Sequence, residues 1–175
     1  MAVLIEANSV VIRVDSILSK FKGGIEAFES IIPNQTACSD NELYRIGFMM
    51  PEGADKFTAQ LVDNGLEYLR DGEAVDFVQV AQLRGFISKC AWAEFGHINY
   101  RGDEKQRIAA SRMINSQESL YTPNGWKFEG SLSHTYGFIP EEQSMEKSLK
   151  FLRQDGGVKV YLNLLTGKEV YIGVT

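Results

Sequence analysis

Residues 66–80 read LEYLRDGEAVDFVQV, two apolar runs on either side of Asp71-Gly72. A two-residue hairpin turn needs positive φ at its central residues, and an Asp-Gly pair adopts it with little strain. The spacing therefore predicts a β-hairpin over 66–80, and with it an antiparallel sheet. Just upstream, in LYRIGFMMPEGADKFTAQLVDNG, Pro51 suits a first helical turn, Gly65 suits a left-handed cap, and Ala54, Phe57 and Leu61 share one stripe. These signals predict a helix over 51–64.

The opening of the chain adds a strand and a shorter helix. In SVVIRVD, Val10, Ile12 and Val14 alternate with Val11, Arg13 and Asp15, the pattern of a half-buried strand. Ile25, Phe28 and Ile32 recur at helical spacing between Gly23-Gly24 and Pro33. Near the C-terminus, TYGFIPEEQSMEKSLKFLRQDGGVKVYLNLLTGKEVYIGV repeats the grammar. Met145, Leu149 and Leu152 predict a helix over 141–153 stopped by Gly156-Gly157, then a hairpin turning at Thr166-Gly167-Lys168. The match reads either as a duplicated strand-helix-hairpin unit or as punctuation that any such unit shares. Both readings give one fold class: a single α+β domain over 1–175, with helices on one face of a largely antiparallel sheet, both helices covering the same sheet.

Residues 98–135 are less regular. Asn124-Gly125 predicts another hairpin tip, while DEKQRIAASRMIN fits a short helix and a strand equally well.

With 44% hydrophobic and 23% charged residues, the chain has the make-up of a globular protein. Its 18 basic and 23 acidic residues leave a net charge of -5, which repels phosphate backbones and argues against nucleic acid, while suiting a basic protein partner. No apolar run approaches the ~18 residues that span a membrane, so no membrane role is expected. Two cysteines without a CxxC suggest neither a disulfide framework nor a thiolate zinc site. Together with the absence of a secretion signal in MAVLIEANSVVIRVD, where Glu6 interrupts the apolar run, this indicates the cytoplasm.

Chemically capable side chains gather in KCAWAEFGHINYRGD, residues 89–103. Read as a strand, it sends Cys90, Trp92, Glu94 and Gly96 to one face and Ala91, Ala93, Phe95 and His97 to the other. Glu94 and His97 then diverge, which opposes an acid–base or metal pair, and Cys90 beside Trp92 reads as a small buried hydrophobe. Asp76 and Glu94 resemble the acidic pair of metal-dependent nucleases, but no lysine follows Glu94, and solvent-facing carboxylates on a half-exposed sheet account for both. The paired units also resemble the vicinal-oxygen-chelate fold, in which His134 and Glu94 would stand for two metal ligands. A catalytic metal wants about three protein ligands, and LYRIGFM supplies no third, so no metal or cofactor is expected. LLTGKEV lacks a phosphate-cradling loop, and Arg101-Gly102-Asp103 is ordinary turn chemistry.

The phrases LIEANSVVIRVD, FESIIPNQTACSDNELYRIGFMMPEG and DGEAVDFVQVAQLRG are similar to a group of small bacterial proteins with no assigned activity. The resemblance spans about the first hundred residues and implies a bacterial cytosolic setting, with no functional residues to carry over. The expectation is a non-enzymatic binding protein, such as an acidic immunity or inhibitor protein, with a small-molecule-binding enzyme of duplicated-module type as the alternative. Tyr121, Trp126, Phe128, Tyr136 and Phe138 would supply the aromatic anchors of its interface, if they are not simply core.

Overall fold

The computed structural model describes residues 2–116, 119–136, 149–163 and 169–173. β1 (Ala2–Ile5) runs almost directly into β2 (Asn8–Arg13), yet the two strands belong to different sheets. The transfer occurs at Glu6-Ala7, where Ala7 takes a φ of 49°. That left-handed conformation costs a non-glycine residue about 1–2 kcal/mol.

β2 is the middle of five strands, with β3 (Cys38–Ser39), β4 (Leu43–Phe48), β7 (Phe77–Ala81) and β8 (Gly85–Phe86) in the order β3-β4-β2-β7-β8. Neighbours in this sheet are all antiparallel. β1 sits in a four-stranded sheet with β9 (Ala93–Asn99), β10 (Arg107–Met113) and β11 (Leu120–Tyr121), ordered β11-β1-β10-β9, in which only β1 and β11 are parallel.

The result is an α+β fold whose core, among the described residues, has three layers. Helices α1 (Val14–Lys20), α2 (Gly24–Ser30) and α3 (Pro51–Asp63) cover one face of the five-stranded sheet, where Val10, Ile12 and Phe77 meet Ile17, Phe28, Phe57 and Leu61. The opposite face packs on the four-stranded sheet, Val11, Leu43 and Val78 against Val3, Ile5 and Ala109. β2 is thus buried on both faces instead of half exposed: its alternation sorts residues between two cores. Each large aliphatic side chain placed there contributes about 1.5–3 kcal/mol.

α3 follows its sequence signals closely. Pro51 starts it, Ala54, Phe57 and Leu61 are its buried stripe, and Gly65 (φ 104°) lies just beyond its end. The turn at Asp71 (φ 54°) and Gly72 (φ 80°) joins β5 (Leu69–Arg70) to β6 (Glu73–Ala74), as the dipeptide requires. The hairpin is short because β7 leaves it to pair with β2, burying Phe77, Val78 and Val80.

Two other segments depart from expectation, and a third, left open between helix and strand, is a strand. Residues 149–153 are strand: β12 (Leu149–Asp155), β13 (Val158–Asn163) and β14 (Glu169–Gly173) form an antiparallel meander. A bulge between Phe151 and Arg153 breaks the two-residue alternation and leaves Phe151 and Leu152 both exposed, so the segment lacks a strand's usual period. Gly156, with φ 59°, and Gly157 turn β12 into β13 and close on Met50 and Pro51 at the start of α3. Residues 141–148 and the tip at Thr166-Gly167-Lys168 lie outside the described residues, although β13 and β14 pair with Leu162 opposite Glu169. Within DEKQRIAASRMIN, Arg107–Met113 forms β10, whose Ile108, Ala109 and Ala110 are all buried: Ala109 lies in the inter-sheet core, and helix α4 (Leu132–Tyr136) also packs against this strand. Asn124-Gly125 makes a turn closed by the Trp126 N–H on the Pro123 carbonyl at 3.0 Å, and no hairpin follows, since β11 pairs with β1.

Candidate functional site

The Glu6-Ala7 corner organises a polar centre. Glu6 is only 6% exposed, and its carboxylate accepts three hydrogen bonds from the 126–133 segment. The indole N–H of Trp126 reaches Oε1 at 2.9 Å, while the backbone N–H and hydroxyl of Ser133 reach Oε2 at 2.5 and 2.7 Å. A buried carboxylate needs such donors, and here they fix the orientation of an aromatic ring as well. Tyr100 meets the Trp126 ring edge-on at a centroid distance of 5.1 Å.

Beneath this corner lies Arg45, on β4 and 2% exposed. Its Nε donates to Ser9 Oγ at 3.0 Å, one terminal nitrogen donates to the Thr36 carbonyl at 2.9 Å, and the other to the Glu6 carbonyl at 3.0 Å. None of these acceptors is a carboxylate. Burial pulls the guanidinium below its ordinary pKa, against the favourable field of Glu6. Gly47 makes room for it, since a Cβ there would lie 2.4 Å from a terminal nitrogen. Asn34 and Thr36 in turn bond the Gly47 backbone.

Over these groups opens a cleft of about 520 Å³ with Trp126, Pro123 and Leu132 on one side and Phe48, Met49 and Thr36 on the other. Its volume falls within the range of sites that take ligands or chain segments, roughly 300–1,000 Å³. The polar groups of its floor already bond one another, so its open surface is chiefly apolar.

The aromatic anchors expected from sequence scatter around this cleft. Trp126 forms its wall. Tyr121 is 40% exposed on β11, away from the lining, and Phe128 is half-buried against the His134 ring at 5.2 Å. Tyr136 ends α4, and Phe138 lies outside the described residues.

The chemically capable side chains do not converge. Glu94 faces outward on β9 and pairs with Arg112 at 2.9 Å, while His97 points to the other face beside Phe95. Burial lowers the His97 pKa, opposed by a hydrogen bond with the Gln82 backbone and reinforced by Arg107. His134 sits exposed on α4, its Nδ1 accepting from the Gly130 N–H at 3.5 Å. Among the described residues no group of three His, Cys, Asp or Glu side chains is placed to hold a metal. Cys90 and Trp92 precede β9, so strand parity does not govern them; both pack on the inter-sheet core, with the Trp92 indole donating to the Ala74 carbonyl at 3.0 Å. Burial raises the pKa of Cys90 and of Cys38, favouring the thiol form of each. Asp76 is not solvent-facing but 2% exposed, bonded to Ser16, Lys20 and the Glu67 N–H.

Sequence reasoning missed Glu6, Ala7, Arg45 and Met49. One signal for Glu6 was present: a single carboxylate inside the apolar run AVLIEANSVVI. Compared with known proteins, the chain matches no family model, no curated protein and no solved structure.

Proposed function

We propose that this chain is a binding protein without chemistry of its own, whose Trp126 cleft receives a segment of a basic partner protein. The observation that carries the reading is the clamp on Trp126: a buried carboxylate holds the indole at the cleft wall before any partner arrives. Aromatic rings held in pockets are the residues on which interfaces concentrate their energy, and a ring already fixed loses little entropy on binding. The net charge of -5 favours a basic partner through its field, as an acidic inhibitor or immunity protein in a bacterial cytoplasm would. No helix among the described residues is long and apolar enough to cross a membrane.

The test is recovery of partners from the native host on immobilised wild-type protein and on Trp126→Phe and Trp126→Ala. The expected outcome is a basic protein held by the wild type, with binding weakened about 30-fold in Trp126→Ala, the size of an interface hot spot of about 2 kcal/mol. Trp126→Phe keeps a ring but drops the indole N–H, and should fall between the two. Equal retention by all three folded proteins would refute the assignment.

A further inference from the structure

At the Ala7 corner the cleft adjoins a second, smaller chamber. Ala7 and Met49 line both spaces, and Met50, Ala81, Leu83, Val158 and Tyr171 supply the rest of the chamber's apolar wall. Asn8, Gln82 and the exposed Arg84 complete the lining. Its neighbouring polar groups are already engaged. Asn8 Nδ2 donates to the Met49 carbonyl at 3.0 Å, Gln82 Oε1 accepts from the Ala7 N–H at 2.9 Å, and the Tyr171 hydroxyl donates to Glu169 at 2.5 Å. Thioether, methyl and ring surface therefore dominate what the chamber offers an occupant.

Size decides what that occupant can be. The chamber holds about 130 Å³, below the ~300 Å³ at which small-molecule sites begin, and close to the ~150 Å³ of an apolar cavity that stays dry and takes one benzene. A free ligand of that size has few atoms with which to bind, at no more than about 1.5 kcal/mol each. The same group delivered by a chain already seated in the adjoining cleft of about 520 Å³ acts at a high effective concentration, so a weak affinity of its own is enough. Two methionines at the wall suit rings and branched side chains alike, because the thioether adapts its shape. At the boundary stands Ala7, a small side chain on a left-handed backbone that lines both spaces.

We infer that the chamber receives one apolar side chain, of leucine or phenylalanine size, from the partner segment lying in the Trp126 cleft. This inference rests on the proposed binding function and adds the chemistry that the partner must carry.

Benzene, N-acetyl-leucinamide and N-acetyl-phenylalaninamide are the probes, titrated into protein labelled at its methionine methyl carbons. All three are expected to shift the Met49 and Met50 signals saturably while leaving Met113, which packs on the inter-sheet core, in place. Ala81→Leu fills the chamber and is expected to abolish those shifts; should it fail to fold, Leu83→Phe at the same wall replaces it. No saturable shift in the wild type overturns the inference, as do shifts that persist in the filled variant. Benzene binding without either capped amino acid also overturns it, since the chamber would then admit a free hydrocarbon and not a side chain. Against the recovered partner, Ala81→Leu is expected to bind at least tenfold more weakly. Full binding by Ala81→Leu alongside loss in Trp126→Ala removes the chamber from the interface and leaves the proposed function standing.

Discussion

Asp76 shows how far one buried carboxylate depends on its donors. Burial alone would raise its pKa, but the Glu67 N–H at 2.7 Å, the Ser16 hydroxyl at 2.7 Å and Lys20 at 3.0 Å outweigh that and hold it below the usual carboxylate value. A pKa depressed by folding gives stability that is complete above the unfolded value of about 3.9 and lost as pH falls through the folded one. Asp76→Asn is expected to lower stability by about 1–3 kcal/mol at neutral pH, the cost of leaving buried donors badly paired. The gap between variant and wild type should narrow below about pH 4. Urea titrations from pH 7 to pH 2 would show this, and a constant gap across that range would remove Asp76 from the acid response. Arg45 poses the opposite case, a buried cation served by carbonyls and a hydroxyl, whose place depends on the missing side chain at Gly47.

Among the elements, α3 was legible because each of its signals is local: a proline at its start, a stripe three and four residues apart, a glycine beyond its end. That glycine does more than cap. A Cβ on Gly65 would lie 2.6 Å from the Lys20 carbonyl, a backbone atom that cannot swing aside, and its φ of 104° strains any other residue. Gly65→Ala is therefore expected to cost about 2–3 kcal/mol, more than the 1–2 kcal/mol of left-handed backbone alone, and thermal melts of the folded variant measure it. A loss under about 1 kcal/mol would mean that the α1–α3 contact yields easily. β10 and β12 escaped a sequence reading for different reasons. β10 is buried on both faces, so apolarity carries no period, and in β12 the bulge after Phe151 interrupts the period that the residues would otherwise show.

At the scale of the whole molecule, the fold class followed from hairpin and helix signals, but the site did not, because it joins distant positions. Glu6 meets Arg45 across 39 residues, Trp126 across 120 and Ser133 across 127. No local pattern announces such a centre, and each partner alone reads as a strand or loop residue. Trp126 could be named from composition as an exposed-looking aromatic in an irregular stretch; the carboxylate that aims it could not. The hand-over of the chain at Ala7 has a consequence in time as well as space. β2 finds its neighbours β4 and β7 within the first 81 residues, whereas β1 must wait for β10, with Ala2 opposite Arg112. On a ribosome the helix-covered sheet can close while β1 still dangles, its edge open to any passing strand, and long-range pairing of this kind is slow. Refolding should accordingly show helical signal first and the burial of Trp126 second, leaving an interval in which a chaperone guarding the N-terminal residues would raise the yield.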